Sequence, residues 1–444
     1  MRFVRAFSKE DILDKVREQN VKFVRLQFTS IPGFLKNIAV TVEELGTALE
    51  GRVMFDSSVI EGFVGNRESD IYLVPDPSTF VVFPWRPREG AVARLICDIS
   101  QPDGSTFDGC PRMALRKVLG EYSDLGLSAM VAAEIEFYLF HVDDQGRPTG
   151  HTHDLAGYCD LTPVDKGENA RRDMVLTLQE MGFDVATSFH EIGPGQHEIF
   201  LKEESALAMA DNIATFKFVV RTIAQRHGLH ASFMPRPLGG CNGSGMNLHL
   251  SLKKQGNNIF HGEGKYHLSP EAHGCIGGIL DHAGAITAVA NPTINSYKRL
   301  IAGDLAPVLA AWSRQNRSTM IRVPAERGEG ARIVLRSPDP SCNPYLTLAV
   351  CLKAGLDGMN RQVSLPEPQD QVSLESRTLR VLVRKEGLPR NLEGALMALA
   401  GDPVIREALG ERIFSRFSHS KEEEWERYQS TVHKWETDEY LTNY

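Results

Sequence analysis

The segment Val131-Ala-Ala-Glu-Ile-Glu-Phe-Tyr-Leu-Phe140 constrains the fold of this chain more than any other. Side chains of a β-strand alternate between two faces, so Glu134 and Glu136 share one face and apolar residues such as Phe137 occupy the other. The apolar face has to be buried, which predicts a strand in the core of a sheet. Two neighbouring carboxylates repel each other unless a cation lies between them, so the polar face indicates a divalent metal site. A solvated strand face is the alternative.

A second pair of carboxylates flanks a glycine-rich turn. Glu191 and Glu198 lie on either side of Gly193-Pro194-Gly195. A hairpin at this turn would bring both side chains to one point. Together with Glu134 and Glu136 they would offer four acids to hard divalent cations, which prefer oxygen ligands.

The segment from Gly239 to Leu252 combines glycines with a polar strand face. Its glycine-rich half allows the backbone to approach a ligand closely, although the pattern is not that of a Walker phosphate loop. Its alternating half puts Asn247, His249 and Ser251 on one face. Such a face borders a binding site or else faces water.

Arginines gather in the part of the chain that follows. They are Arg299, Arg317, Arg322, Arg332 and Arg336. Each guanidinium can bind two oxygens of a phosphate or a carboxylate, so arginines beside a metal site favour an anionic substrate. A scattered, solvated surface is the alternative, but the separation of acids in one half from arginines in the other argues against it.

The length of the chain and the distribution of predicted strands and helices along it predict two domains. A chain of 444 residues is too long for one compact core. Strands dominate up to residue 107, and longer helices appear from Pro111 onward. We therefore expect a small mixed domain over residues 1–107 and a larger domain over residues 108–444.

Charge and cysteine usage exclude several classes of protein. The net charge of -8 argues against nucleic acid or an anionic membrane as the main partner. No apolar run is long enough to predict a transmembrane helix. The seven scattered cysteines favour a reducing cytoplasm over a disulfide framework.

Local patterns predict the individual elements. Helices are predicted over 8–20, 113–126, 169–181, 208–227 and 343–358. Strands are predicted over 21–28, 37–42, 72–74, 81–83, 91–99, 131–141, 246–252 and 331–336. Residues 363–374 are predicted to form a loop, and the charged, aromatic end over 422–444 a helix that docks on a neighbour.

In this order, these segments resemble the type I glutamine synthetases of bacteria and archaea over almost the whole chain. The resemblance is carried by Met54-Phe-Asp-Ser-Ser58, Glu61-Gly62-Phe63, Glu134-x-Glu136, Gly157-Tyr158, His190-Glu191, Gly195-Gln-His-Glu198, Asn242-Gly-Ser-Gly-Met246, Asn295-Ser-Tyr-Lys-Arg299, Asn316-Arg317-Ser318, Asp339-Pro340 and Asn343-Pro344-Tyr345. It implies an α+β fold with an N-terminal β-grasp-like domain and a catalytic domain whose antiparallel sheet is flanked by helices. It also implies a double-ring dodecamer, with each active site completed by the N-terminal domain of a neighbouring subunit.

The resemblance further implies a reaction and its participants. ATP would activate the side-chain carboxylate of glutamate as γ-glutamyl phosphate, and ammonia or another amine would then displace phosphate. The implied cofactor is Mg²⁺ or Mn²⁺, and the implied setting is cytoplasmic nitrogen metabolism, with neither nucleic acid nor a membrane as partner.

By position, the resemblance implies roles for individual residues. The metal ligands would be Glu134, Glu136, Glu191 and Glu198, with Glu134 serving the second metal, which holds the ATP phosphates. The glutamate-binding residues would be Asn242, Gly243, Arg299 and Arg336. The nucleotide-binding residues would be His249, Ser251, Arg322 and Arg332. The residues assigned to catalysis are Asp56 from across the interface, Arg317 on the transferring phosphoryl group and Tyr158 at the ammonium pocket.

Three positions depart from the family pattern. Asn247 and Val334 replace a histidine and a glutamate that bind the second metal, and Leu305 replaces the flap glutamate that acts as a base toward ammonium. Magnesium is often held by one or two carboxylates together with phosphates and water, so the second metal is weakened and not necessarily lost. Glu326 or Glu329 would be a substitute ligand, although neither lies on the strand face of Val334.

Three hypotheses about function follow. The chain is an ATP-dependent glutamate–amine ligase, which makes glutamine poorly or makes the γ-glutamyl amide of another amine. It is a catalytically weakened or silent paralogue with a binding or regulatory role. Or it is a phosphotransferase that keeps the phosphorylation step and has lost amination. The intact acids and arginines favour the first hypothesis.

Overall fold

The computed structural model of the protein describes residues 7–61, 70–87, 89–301, 305–371, 383 and 386–444. Three parts of the predicted segments lie outside these residues: Gly62 and Phe63 of the second family motif, Gly303 and Asp304 of the flap before Leu305, and residues 372–374 of the predicted loop.

The N-terminal part is a five-stranded sheet with short helices. Its elements are helices α1 (Lys9–Glu18), α2 (Leu45–Leu49) and α3 (Ser58–Glu61) and strands β1 (Val21–Thr29), β2 (Leu35–Thr41), β3 (Val53–Asp56), β4 (Asp70–Val82) and β5 (Ala91–Ser100). The strand order is β2-β1-β5-β4-β3, with β1 and β5 parallel and the other pairs antiparallel. As predicted, the Ser8 side chain caps α1, accepting a hydrogen bond from the Asp11 amide.

The prediction of two separate strands over 72–74 and 81–83 is wrong. Both belong to β4, whose pairing with β5 changes register between Asp76 and Val81. Proline cannot donate to the ladder, so Pro75 and Pro77 interrupt the local strand pattern while the strand itself continues past the irregularity.

The larger part is built on a second, ten-stranded sheet. Its strands are β6 (Leu127–Val142), β7 (Pro148–Thr152), β8 (Val185–His190), β9 (Gln196–Ser205), β10 (Leu229–Ser232), β11 (Met246–Lys254), β12 (Asn257–Asn258), β13 (Leu309–Ser313), β14 (Thr319–Arg322) and β15 (Ile333–Leu335). The main path is β13-β14-β15-β11-β6-β9-β8, and β7, β10 and β12 pair outside it. The strand predicted to lie in the core is therefore β6, which has neighbouring strands on both sides.

Helices of the larger part pack on this sheet and on one another. They are α4 (Pro111–Asp124), α5 (Glu168–Glu180), α6 (Ala206–Arg226), α7 (Pro270–Asp281), α8 (Ala283–Ala290), α9 (Ser296–Arg299), α10 (Pro344–Asn360), α11 (Leu392–Ala400), α12 (Pro403–Leu409), α13 (Glu411–Ser430) and α14 (Lys434–Tyr440). Single 3-10 turns occur at Val42–Glu44, Lys265–His267 and Gly328–Gly330. The almost wholly buried α10 packs against α7 and α4, and one continuous apolar core joins both sheets. The α+β prediction is confirmed.

The C-terminal end differs from the predicted single helix. α13 begins earlier, at Glu411, and ends at Ser430, so that residues 431–433 separate it from α14. Docking of this end on a neighbour stays a prediction. No helix in the described ranges has both the length and the apolar character needed to cross a bilayer.

Strand register decides which polar side chains meet. Across β6 and β9, Glu136 lies opposite Glu198. Across β6 and β11, Glu134 lies opposite Asn247, and across β11 and β15, His249 lies opposite Val334. Because side chains alternate with period two, these residues share the face of the sheet opposite the helices.

Arg112, at the start of α4, connects the N-terminal sheet to helix α6. Its guanidinium lies 2.8 Å from carboxylate oxygens of Asp76 on β4, Asp98 on β5 and Asp211 on α6. The Tyr345 hydroxyl donates a further hydrogen bond of 2.7 Å to Asp211. The side chain of Arg112 is only 4% exposed, so the charges that hold the N-terminal sheet against the helices are almost dry.

Candidate active site

The polar face of the ten-stranded sheet forms a cavity of about 880 Å³. Most residues that the sequence predicted for the site line it: Glu134, Glu136, Tyr158, Glu191, Glu198, Asn242, Gly243, Asn247, His249, Arg299, Leu305, Arg317, Arg322, Arg332, Val334 and Arg336. The structure thus brings acids, arginines and all three departures into one place, while their individual roles stay predictions.

Three carboxylates converge at one end of the cavity. Glu136, Glu191 and Glu198 each offer an oxygen, and these atoms lie within 4.8 Å of one another. Burial and the neighbouring carboxylates raise the pKa of Glu198 to about 10. Burial and the charge of Glu191 raise the pKa of Glu136 to about 7. Such repulsion is relieved by protons or by a cation, so these three residues fit one divalent metal ion with oxygen ligands.

Gln196 orients this group and was missed by sequence reasoning. Its side-chain amide donates to a Glu136 oxygen at 3.0 Å, and the Gly245 amide donates to the same oxygen at 2.8 Å. A lone glutamine carries no distinctive pattern. The available signal was its position two residues before Glu198, on the same face of the same strand.

Two further missed residues hold the hairpin that carries Glu191. His190 is buried, with Nε2 3.1 Å from a carboxylate oxygen of Asp154 and Nδ1 2.6 Å from the Glu191 carbonyl. The same Asp154 oxygen accepts a hydrogen bond of 2.9 Å from the Gly195 amide. The contacts of His190 and Asp154 therefore hold the hairpin in place, which limits the positions that the Glu191 carboxylate can take.

The loop with Asn242 and Gly243 is packed tightly against Arg299. A Cβ atom at Gly243 would lie 2.4 Å from the Pro235 carbonyl oxygen, so this position requires glycine. Arg299 is buried and donates hydrogen bonds to the carbonyls of Ser337 and Arg336, at 2.8 and 3.0 Å. Its burial lowers its pKa.

Tyr138, which sequence reasoning also missed, contacts the loop that carries Asn242 and Gly243. Its hydroxyl donates a 2.6 Å hydrogen bond to the Asn242 carbonyl. The residue sits on β6 two positions after Glu136, so one strand positions both a carboxylate and the loop beside it.

Glu134 does not join the three converging carboxylates. Asn247 donates a 2.8 Å hydrogen bond to its Oε2 atom, and Nε2 of His249 lies 3.0 Å from its Oε1 atom. Burial opposes ionisation of Glu134, but the contacts with His249 and Asn247 lower its pKa overall. Val334 is 4% exposed and offers only apolar surface beside this pair. The position therefore does not fit a second metal held by three protein ligands.

The two substitute ligands considered from the sequence behave differently. Glu326 does line the cavity, although it is off the face of Val334, but its carboxylate pairs with Arg332. Glu329 lies in the 3-10 turn, and its carboxylate is 3.4 Å from the Asn258 amide. Glu329 is not among the described residues that line the cavity.

The opposite wall of the cavity is cationic. Burial and the nearby charges of Arg317, Arg299 and Arg322 lower the pKa of Arg336 to about 10. Arg336 also donates a 3.0 Å hydrogen bond to the Arg317 carbonyl. Like charges kept together at a buried position favour a bound anion such as a phosphate group.

An apolar rim adjoins Glu191. Tyr158 and Phe189 form an edge-to-face pair with centroids 5.6 Å apart, and Ile192 and Leu305 line the same cavity. Tyr158 and Ile192 are exposed, at 58% and 41%. Exposed apolar groups at the mouth of a charged cavity favour a partly apolar ligand or partner.

Two predicted site residues lie elsewhere. Asp56 ends β3 in the N-terminal sheet, where it accepts hydrogen bonds from the Ser58 amide and hydroxyl at 3.1 and 2.5 Å. Ser251 is buried and donates a 2.9 Å hydrogen bond to Glu203. Neither belongs to the described lining of this chain's own cavity.

Comparisons with known proteins agree with this architecture. A model of the glutamine synthetase β-grasp domain matches residues 20–102, and one of the glutamine synthetase catalytic domain matches residues 108–440. Glutamine synthetase of Thermus thermophilus is 51% identical, over 99% of this chain and all of the relative. Glutamine synthetase of Clostridium saccharobutylicum is 49% identical, over 99% of both chains. The structure of a GmaS/ADP complex matches with a TM-score of 0.88 and 30% identity, over 97% of this chain and 99% of the other. This chain therefore belongs to the glutamine synthetase family of ATP-dependent glutamate–ammonia and glutamate–amine ligases.

Proposed function

We propose that this ligase joins the γ-carboxylate of glutamate to an amine that carries an apolar substituent, in preference to ammonia. The observation that supports the proposal is Leu305 in the cavity, together with Tyr158, Phe189 and Ile192. Leucine cannot accept a proton or pair with ammonium, but it offers apolar surface to an alkyl or aromatic group.

The cavity residues suit the first half-reaction, in which a γ-carboxylate oxygen attacks the γ-phosphorus of ATP and ADP leaves. Asn242, Gly243, Arg299 and Arg336 bind glutamate, while Arg322 and Arg332 bind the nucleotide. The ADP complex of the similar GmaS supports a nucleotide at this place. Arg317 binds the transferring phosphoryl group, whose charge a guanidinium matches well.

Glu136, Glu191 and Glu198 hold the divalent ion, and their oxygen-only ligation suits Mg²⁺ or Mn²⁺. When bound, this ion offsets negative charge on the carboxylate and the phosphoryl group. The three residues would hold the ion, and Gln196 orients Glu136 through its hydrogen bond.

In the second half-reaction, the amine nitrogen attacks the acyl carbon of γ-glutamyl phosphate and inorganic phosphate leaves. We assign Asp56 of a neighbouring subunit to orient the amine and accept its proton, with Tyr158 and Leu305 against the apolar substituent. The separation of Asp56 from its own cavity supports this assignment and a ring-shaped homo-oligomer, for which we propose the double-ring dodecamer of the family. The seven free cysteines support a cytoplasmic setting.

Phosphate release from ATP, with Mg²⁺ and glutamate, tests the proposal across ammonium and a panel of alkyl, poly- and aromatic amines. We expect the highest kcat/KM with an amine other than ammonia. Leu305→Glu should shift the preference toward ammonium by about tenfold or more, because a charge pair in a partly dry pocket is worth about 2–5 kcal/mol. Leu305→Met, which stays apolar, is the matched control and should keep the original preference.

Two results would contradict the proposal. One is an original chain that prefers ammonium, and the other is a Leu305→Glu variant with an unchanged preference. Glutamate-dependent ADP formation that no amine affects would instead indicate a phosphotransferase.

A silent paralogue is the second candidate, and one observation favours it. Glu134 is already paired with Asn247 and His249, and Val334 adds no ligand, so the nucleotide side lacks the family's full set of metal ligands. Binding of ADP or glutamate without turnover of any amine would support this candidate over the ligase.

A further inference from the structure

We infer that the nucleotide side of the cavity works without a resident cation, so that each chain holds one divalent ion, at Glu136, Glu191 and Glu198. A network of protein groups around Glu134 takes the place of the second ion. The inference goes beyond the proposed function and shares with it only the assignment of the first ion.

Both oxygens of Glu134 are already engaged by neighbouring side chains. Asn247 donates to Oε2 at 2.8 Å, and the His249 ring nitrogen lies 3.0 Å from Oε1. These partners lie on β11, which is paired directly with the strand of Glu134. A cation at this carboxylate would have to displace contacts that the strand register itself creates.

The protonation of His249 follows from its other neighbour. Arg332 donates a 3.0 Å hydrogen bond from Nε to Nδ1 of His249. A guanidinium can only donate, so Nδ1 carries a lone pair and the ring proton is on Nε2. Nε2 lies 3.0 Å from Glu134 outside hydrogen-bond geometry, and because it carries the proton it offers no lone pair to a metal ion.

The network ends on a carboxylate that is also engaged. Arg332 pairs with Glu326, the one substitute ligand of the two that reaches the cavity. Val334, opposite His249 on the next strand, has no donor atom in its side chain. Glu326 is therefore already paired with a cation, and Val334 offers only a hydrocarbon side chain, so neither position supplies a ligand for a second ion.

A second group of metal-ligand type does exist in the described part of the chain, but it lies outside the cavity lining. It consists of the buried residues His153, Asp154, Asp165 and His197. Arg171 already lies 2.8 Å from both Asp165 and His197, so this group contains its own cation. It does not raise the expected number of bound ions.

Without a second ion, the phosphates depend on protein cations. Arg317, Arg322, Arg332 and Arg336 all line the cavity. Nucleotide binding should therefore depend less on divalent metal than in a site where phosphates are held through an ion.

The direct test counts Mn²⁺ bound to the nucleotide-free full chain, by electron paramagnetic resonance titration with calorimetry. We expect one ion per chain. Glu134→Gln should keep this count and change the Mn²⁺ affinity by less than about threefold, whereas Glu198→Gln should lose the ion. Two ions of similar affinity, no bound ion, or a count that falls in Glu134→Gln would overturn the inference.

A gain-of-site variant tests the same idea from the other direction. Asn247→His combined with Val334→Glu should raise the count to two, while Asn247→His with Val334→Gln, similar in size but uncharged, should leave it at one. If both double variants keep one ion, the explanation from Asn247 and Val334 is wrong. Ion counting does not involve the amine, so failure here is distinguishable from failure of the proposed function.

Discussion

At the scale of single residues, the cavity depends on groups whose importance comes from contacts that are remote in sequence. Glu134 and Glu136 were predicted to share a face, and the structure places both in the cavity. The partners Gln196 and Tyr138 were not predictable in the same way. The role of a glutamine amide or a tyrosine hydroxyl depends on which acceptor folding brings within hydrogen-bond distance. For Tyr138 this acceptor is the Asn242 carbonyl.

Ser251 shows what strand periodicity alone does not determine. Period two correctly puts it on the face of Asn247 and His249, but its hydroxyl is buried against Glu203. Alternation fixes the face of a residue and not its distance from a site, so its assigned nucleotide role stays a prediction.

Tyr138→Phe should loosen the glutamate-side loop. The variant removes one 2.6 Å hydrogen bond to Asn242, worth about 0.5–1.5 kcal/mol. We expect the KM for glutamate to rise by about three- to tenfold with a smaller change in kcat, measured by steady-state kinetics. The matched control is Tyr122→Phe, whose hydroxyl donates to the Leu352 carbonyl in the core. An equal rise of KM in the control would show that the loop contact has no special role.

At the scale of elements, caps and periodicity placed the predicted helices and strands to within a few residues, but other elements, such as α7, α8, β13 and β14, were not predicted. Asn343, for example, caps α10 by accepting hydrogen bonds from the Tyr345 and Leu346 amides. The misjudged elements depend on tertiary context. β4 runs through two prolines because its pairing with β5 resumes beyond them. β15 is only three residues long because its pairing with β11 covers only Ile333 to Leu335.

His282 links four helices and makes their packing depend on pH. It lies between α7 and α8, with its two ring nitrogens 3.1 Å from Asp357 on α10 and 2.7 Å from Asp402 before α12. Burial opposes the charged ring, but both carboxylates raise its pKa above 6.5, and contact with the ring lowers the pKa of each carboxyl below 3.8 against the effect of burial. The stabilisation that these contacts provide is therefore fully present between pH 3.8 and 6.5, the ordinary pKa values of aspartate and histidine. It is lost as pH falls through the aspartate pKa values or rises through that of folded His282.

His282→Gln should lower Tm most between pH 3.8 and 6.5 and least at alkaline pH. The expected loss in that window is about 1–2 kcal/mol, on the scale of hydrogen bonds to charged groups. Differential scanning fluorimetry over a pH series measures it. His419→Gln, which breaks an exposed 3.3 Å contact with Glu423, should change Tm little at any pH. A pH-independent effect of His282→Gln would exclude the charged pair.

At the scale of the whole molecule, the N-terminal sheet is tied to the catalytic part by apolar core and by a few dry charges. Chain length argued against one compact core, yet the buried apolar side chains of the two parts form one continuous cluster. The ionic junction at Arg112 could not be predicted, because its three aspartates come from three separate elements. Only the folded arrangement brings them to one guanidinium.

Arg112→Met should destabilise the chain by about 3–5 kcal/mol, because it leaves Asp211, whose side chain is 8% exposed, without its ion-pair partner. Thermal and denaturant unfolding measure the loss. Arg116→Met is the matched control: it contacts Asp76 and Asp98 at 2.8 and 3.1 Å, but its side chain is 35% exposed. Its expected cost is under about 1 kcal/mol. Equal losses in the two variants would mean that burial of the arginine does not set the strength of the junction.

The opposition of Glu136 and Glu198 on paired strands also bears on how such a protein changes over generations. A single inserted or deleted residue in β6 or β9 would turn one carboxylate to the other face, so selection would remove it at once. Substitution leaves the register untouched. Related proteins can therefore differ in side chain at positions such as Asn247, Leu305 and Val334 while they keep the same strand pairing. New substrate preferences can then arise without any change of backbone.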